Sequence, residues 1–352
     1  MQKSKNIFLR LIPVWTAIVT FGLTEIAATH PTTVETVYSR SIYPVISSLL
    51  SKASSIFPFS LDDLFYIFLI AGFFTLTVSL FFRKTGFKKQ ILITLNSLSV
   101  VYILFYCLWG FNYFREDLNE RLHIPEQKAS TENFRTALDT LINSTNKYYI
   151  DSFSITKDEI NISIENSYKE LSGFLNINYP QGVRPPKHIT FSRLFAKATI
   201  SGYFGPFFNE IHINKYLLPV EYPWTLTHEK AHQFGVTSEA EANFYAWIVC
   251  NNSDSKQIKY AGNLNLLFYF LYEARKLPNY KNIVSKLNEG VKRDITKIID
   301  HWAVLRNKNI EKVAEKANDT YLKTNKVEKG IEDYDGVVKF VTEYLTMKNT
   351  SN

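Results

Sequence analysis

Cysteine is nearly absent: Cys107 and Cys250 are the only two in 352 residues. One lies inside an apolar run and the other near a helix end, which excludes a disulfide framework and a thiolate metal site. Internal repeats and low-complexity tracts are also missing, so no repeat architecture enters the reading. A net charge of +7 and a pI near 9.0 would permit nucleic-acid binding. The chain nevertheless lacks a basic stripe with interleaved aromatics. Its lysines and arginines are scattered, and the densest groups flank apolar runs. Nucleic acid is therefore excluded as a partner, and the lipid bilayer explains the charge better.

Three apolar runs near the N-terminus are expected to be transmembrane helices, near residues 11–28, 61–82 and 90–110. Lys3, Lys5 and Arg10 precede the first run. A cleaved signal peptide is the competing reading, but no crisp cleavage site follows and further spans do. Residues 31–60 form an amphipathic connector containing Pro31, Pro44 and Pro58. Asp62 and Asp63 lead into the second run, which stops at Arg83 and Lys84 with Lys88 and Lys89 behind. Trp109, Tyr113 and Phe114 suggest an aromatic belt where the third run exits. The loop between runs one and two carries only Arg40 and Lys52. Because cytoplasmic loops collect Lys and Arg, the N-terminus is expected inside and everything after residue 110 outside. The length suits one membrane anchor, 1–110, and one extracytoplasmic domain, 111–352.

From residue 111 onward the periodicity is that of a mostly helical domain with a small β element. Helices are expected over 131–149, 157–174, 256–276 and 280–305, with a last one ending near Met347. Strand-like runs occur at His188–Phe191 and Asn209–Ile213. Gly202, Gly205 and Pro206 suggest a bent loop of close approach, and Asn318–Phe340 is punctuated by Gly330 and Gly336.

The most informative stretch is HEKAHQFGVTSEAEAN, His228 to Asn243. Residues four apart on a helix lie one above the other, so His228 and His232 can present ring nitrogens to one metal ion. Glu229 sits one step round, placed to act as a general base beside the open side. Pro223 suits the first turn of this helix and Gly235 its left-handed end. Ser238 to Glu241 reads as a capping box that starts a second helix. That gives Glu241 a local task and leaves Glu239 as the better third ligand, with Glu241 the alternative. Asn243, one turn beyond Glu239, can hydrogen-bond a ligand imidazole. Candidate donors to a developing oxyanion are His212, Tyr245 and Tyr334.

H-E-x-x-H followed by E-x-E-A-N resembles the gluzincin metallopeptidases. The resemblance implies a zincin-like fold, zinc as cofactor, His228, His232 and Glu239 as ligands, Glu229 as general base and a peptide or protein substrate. Asn243 takes the place of a supporting Asp, so it can orient an imidazole without stabilising its charge. The six-residue spacer from His232 to Glu239 is shorter than in most gluzincins. Gly235 resembles the metzincin pattern, but Ser238 stands where their third ligand would be. With W-G-F-N-Y at 109–113 and the three spans, the whole chain also resembles an uncharacterised family of bacterial inner-membrane proteins, a domain of unknown function. The expectation is a multi-pass inner-membrane zinc hydrolase with a periplasmic metallopeptidase site. A catalytically inactive zinc-binding scaffold or sensor is the alternative, and a permease with an incidental motif the third reading.

Overall fold

The computed structural model describes residues 9–82, 86–128, 130–180, 184–327, 330 and 336–351. Lys3, Lys5, Arg83, Lys84 and Tyr334 lie outside the described residues. Helix accounts for 71% and strand for 3%, so the chain is mainly α with a small mixed sheet, as its periodicity indicates. It divides into two compact units. One comprises 1–116 with 182–184 and 205–210; the other comprises 117–181, 185–204 and 211–352.

In the first unit, α1 spans Ile12–Ala28. The next run is helical nearly throughout: α2, Pro31–Thr33, a π-helical stretch Val34–Ile42, and α3, Tyr43–Ser54. Two long helices follow, α4 (Leu61–Phe81) and α5 (Phe87–Leu108). Two stretches, Leu61–Ser79 and Phe87–Leu108, are long and apolar enough to cross a membrane. The 17 residues of α1 reach about 25 Å, short of a hydrocarbon core of about 30 Å. Among the described residues a third candidate span is the pair α1 and Pro31–Ser54, bent by 109° at their junction, if the two act as one. Phe68, Ile70 and Phe74 on α4 are each 70% exposed, a surface suited to lipid rather than water. Trp109 and Phe114, expected in an outward belt, are buried instead. The 3-10 turn Gly110–Phe114 folds the chain back, and Phe114 stacks on Tyr106 at 6.2 Å. Arg115 pairs with Glu35 through two bonds of 2.7 and 2.8 Å, both side chains buried.

The remaining elements are α6 (Leu118–Leu122), α7 (Thr131–Tyr148), α8 (Lys157–Glu170), β1 (Lys187–His188), α9 (Ser192–Lys197), β2 (Gly202–Gly205), β3 (Glu210–Ile213), α10 (Tyr222–Gln233), α11 (Glu239–Asn252), α12 (Lys256–Ala274), α13 (Tyr280–Ser285), α14 (Glu289–Leu305), α15 (Lys308–Thr324) and α16 (Val337–Ser351). Sheet order is β1-β3-β2, with β1 and β3 parallel and Lys187 opposite His212. Three expectations change. The 202–205 stretch is a strand, not a loop, because it pairs with β3. That pairing makes β3 the central strand, with β1 and β2 at the edges. The expected 188–191 strand ends at His188, since the chain turns into α9 at Ser192. The 280–305 run splits where Asn288 caps α14 by accepting from Val291 N at 2.8 Å. Asn307 caps α15, which carries helix on to Thr324. The core of the second unit gathers Leu141, Ile142, Phe244, Val249, Leu264 and Leu267, with Phe134 stacked on Phe270 at 5.6 Å.

Candidate metal centre

Every residue of α10 is buried, although seven of its twelve residues are polar. A buried polar group needs a partner, and α10 finds them on several sides. Thr227 Oγ1 donates to Pro223 O at 2.6 Å, and Tyr168 Oη donates to Thr227 O at 2.7 Å. Lys230, wholly buried, gives its Nζ to Glu165 Oε1 at 2.6 Å, and Tyr179 Oη also donates to Glu165.

The helix ends in a tight left-handed turn. Gly235 has φ +86°, a conformation that costs a side chain and is open to glycine. Gly235 N donates to His232 O and Val236 N to Ala231 O, both at 3.0 Å, the paired bonds of a Schellman motif. The turn brings the Val236 carbonyl back onto His232 Nδ1 at 2.7 Å. After it, Ser238 caps α11 by accepting from Glu241 N at 3.3 Å. His228 Nδ1 meets Asn243 Oδ1 at 2.9 Å. Both Nδ1 atoms therefore face oxygen acceptors and carry the ring proton. The two Nε2 lone pairs are left pointing inward.

They point at each other. His228 Nε2 and His232 Nε2 are 3.1 Å apart, and Glu239 Oε2 lies 3.1 Å from the first and 3.5 Å from the second. Two lone pairs and a carboxylate oxygen converging at that range repel unless a cation lies among them. Ligand atoms around tetrahedral zinc, at bonds of about 2.0–2.1 Å, stand about 3.3 Å from one another. The triangle in the protein has that size, and nitrogen and oxygen donors suit zinc, so the donor set fits. Without a metal a proton plays the cation's part. Burial disfavours a charged His232, but the Glu239 carboxylate outweighs it and raises the ring to about 9. Burial alone would raise Glu239; His232 and His228 instead hold it far below its usual range.

Glu229 is buried, and burial pushes it up to about 7, against the pull of His228 and His232. A carboxylate near neutrality can both accept and release a proton. Gly202 on β2 lies beside it: a Cβ there would sit 2.8 Å from Glu229 Oε1 and 2.9 Å from His212 O. The close approach expected at Gly202 is thus present, made by a strand.

The remaining candidates are placed elsewhere. Glu241 pairs with Arg121 Nη2, and Arg121 Nη1 donates to Tyr245 Oη at 2.9 Å. Tyr245 Oη donates to Leu175 O at 2.7 Å, so its proton is not offered to the triangle. His212 is buried on β3 and stacks on Tyr203 at 4.2 Å, with Nδ1 3.3 Å from Tyr203 O. Tyr334 lies outside the described residues. Arg121, Lys230 with Glu165, and the Val236 carbonyl were not singled out from the sequence. Only Lys230 left a signal there, as a charge inside the metal motif.

A family described as "Protein of unknown function (DUF3810)" matches residues 38–342. The chain belongs to that family. The DUF3810 match encloses the whole stretch from His228 to Asn243, and both helices apolar enough to span a membrane. No curated protein and no solved structure matches the chain.

Proposed function

We propose that the chain is a membrane-anchored zinc hydrolase, a metallopeptidase of gluzincin-like, zincin-fold type acting on a peptide or protein. The observation that carries this is the convergence of His228 Nε2, His232 Nε2 and Glu239 Oε2 within 3.5 Å of one another. When bound there, zinc supplies Lewis acidity, lowering the pKa of water towards neutrality and polarising a carbonyl oxygen. The protein's part begins with Asn243 Oδ1 and Val236 O, which hold the two Nδ1 protons and so keep both Nε2 atoms available. Glu229 takes a proton on its carboxylate from the attacking water and passes it to the leaving amine nitrogen. Its position near neutrality, set by burial, serves both halves of that transfer.

The reading includes a location. The basic residues before the first apolar run and between the second and third, against only Arg40 and Lys52 between the first two, support a cytoplasmic N-terminus in a bacterial inner membrane and a periplasmic site. One observation favours the alternative of a zinc-binding scaffold or sensor without turnover. His228, Glu229 and His232 are 9%, 5% and 7% exposed, which leaves a substrate little access.

The test uses the full-length chain purified in detergent. Elemental analysis should find about one zinc per chain, lost in His228→Ala. Glu229→Gln should keep the metal while hydrolysis of a quenched-fluorescent peptide mixture falls about 10²–10⁴-fold. An unchanged rate in Glu229→Gln would remove Glu229 as the base. Zinc without any hydrolysis in the wild-type chain would favour the scaffold, and no zinc would end both readings.

A further inference from the structure

Glu239 and Asn243, four residues apart, share one face of α11. Glu241 and Tyr245, also four apart, share another, turned about 200° from the first. The first pair serves the metal centre: Glu239 Oε2 is 3.1 Å from His228 Nε2, and Asn243 Oδ1 is 2.9 Å from His228 Nδ1. The second pair is held by one side chain. Arg121 on α6 donates from Nη1 to Tyr245 Oη at 2.9 Å and pairs through Nη2 with Glu241, its own side chain wholly buried. Tyr245 Oη passes the restraint on to Leu175 O at 2.7 Å.

We propose that Arg121 is a positioning residue for the metal centre. By gripping Glu241 and Tyr245 together it fixes the rotation of α11 about its own axis, and so presents Glu239 and Asn243 to His228. The proposal rests on reading His228, His232 and Glu239 as zinc ligands. A helix turned by about 20° moves an atom about 6 Å from its axis by about 2 Å. Metal–ligand bonds tolerate about 0.2 Å, so rotation is the freedom that a third ligand on this helix can least afford. The guanidinium suits the task because its donors form a rigid planar fork, which can hold two acceptors one helical turn apart. A lysine ammonium reaches one of them as a point charge. The same pairing also occupies Glu241, the other carboxylate of the first turn, and keeps it from competing for the metal.

A purely structural ion pair would behave differently, and three variants of the full-length chain separate the two. Arg121→Met removes the guanidinium from beside the buried Glu241 and is expected to lower the thermal unfolding midpoint. The double variant Arg121→Met with Glu241→Met replaces the pair by apolar side chains of similar reach and should recover that midpoint. Zinc affinity, measured by competition with a chromophoric chelator, is expected to stay about 10–100-fold weaker in the double variant. Its cobalt(II)-substituted form should show shifted ligand-field bands. Arg121→Lys keeps the charge beside Glu241 but not the grip on Tyr245, and should also bind zinc more weakly. Wild-type affinity and cobalt spectrum in either the double variant or Arg121→Lys would overturn the proposal and leave the ligand assignment standing. A wild-type chain that binds no zinc would overturn the ligand assignment, and this proposal with it.

Discussion

His232 carries the proton that the rest of the centre must deal with. In the metal-free protein burial disfavours its imidazolium, but Glu239 wins and raises the ring to about 9. Zinc needs the neutral ring. At pH 7 binding must therefore expel a proton, and the apparent affinity should rise about tenfold per pH unit towards 9, then level off. The direction is set by the sign of the shift: a raised histidine is protonated below its pKa, so acid weakens the metal. Calorimetry in buffers of different ionisation enthalpy would count the protons released, and a count of zero at pH 7 would contradict the assignment. Much at this scale was legible in sequence. His228 and His232 four apart, with Glu239 and Asn243 four apart, define two helical faces by periodicity alone. Which carboxylate of the E-x-E pair turns inward was open on spacing. A capping box argued for Glu239; in the structure Glu241 is drawn off by Arg121, 120 residues earlier in the chain.

Elements explain why α10 escapes the usual correlation between polarity and exposure. It carries Thr225, Thr227, His228, Glu229, Lys230, His232 and Gln233, yet all of it is buried. A helix read by its apolar stripe would be set at a surface; this one is enclosed, with partners such as Glu165 and Asn243 supplied by other elements. Its close fit to β2 gives a prediction. Gly202→Ala would bring a Cβ to 2.8 Å from Glu229 Oε1, 2.9 Å from His212 O and 2.9 Å from Thr225 Cγ2. Backbone cannot step aside as a side chain can, so the strand must move. The expected loss is roughly 1–3 kcal/mol of stability, read from chemical denaturation, together with a lower hydrolytic rate. Unchanged stability and rate would show that β2 does not press on Glu229. The helices over 131–148 and 256–274 were legible because each alternates apolar and polar residues at helical spacing. β2 was not, because four residues flanked by glycine carry no period, and a strand becomes one only when a neighbour pairs with it.

For the whole molecule, two or three helices are apolar enough to cross a membrane, and the uneven distribution of Lys and Arg sets the proposed topology. The prediction is made with introduced cysteines in a Cys107→Ser background, which keeps only the buried Cys250 beside them. In spheroplasts a membrane-impermeant maleimide should label Lys308→Cys directly, since that position is exposed on the second unit. It should label Lys88→Cys, in the first turn of α5, only after permeabilisation. The reverse pattern would put the metal centre in the cytosol. By itself the sequence determined what depends on near neighbours: the long apolar runs, the helical spacing of the donors, the turn at Gly235. Only the tertiary structure decided that α1 bends by 109° into Pro31–Ser54, that Trp109 and Phe114 turn inward, that β3 takes the centre of the sheet, and that Arg121 holds the far side of α11. The reason is physical. Periodicity records the angle between residues a turn apart, whereas contacts between distant segments form only when burial brings them together, and leave no spacing to read.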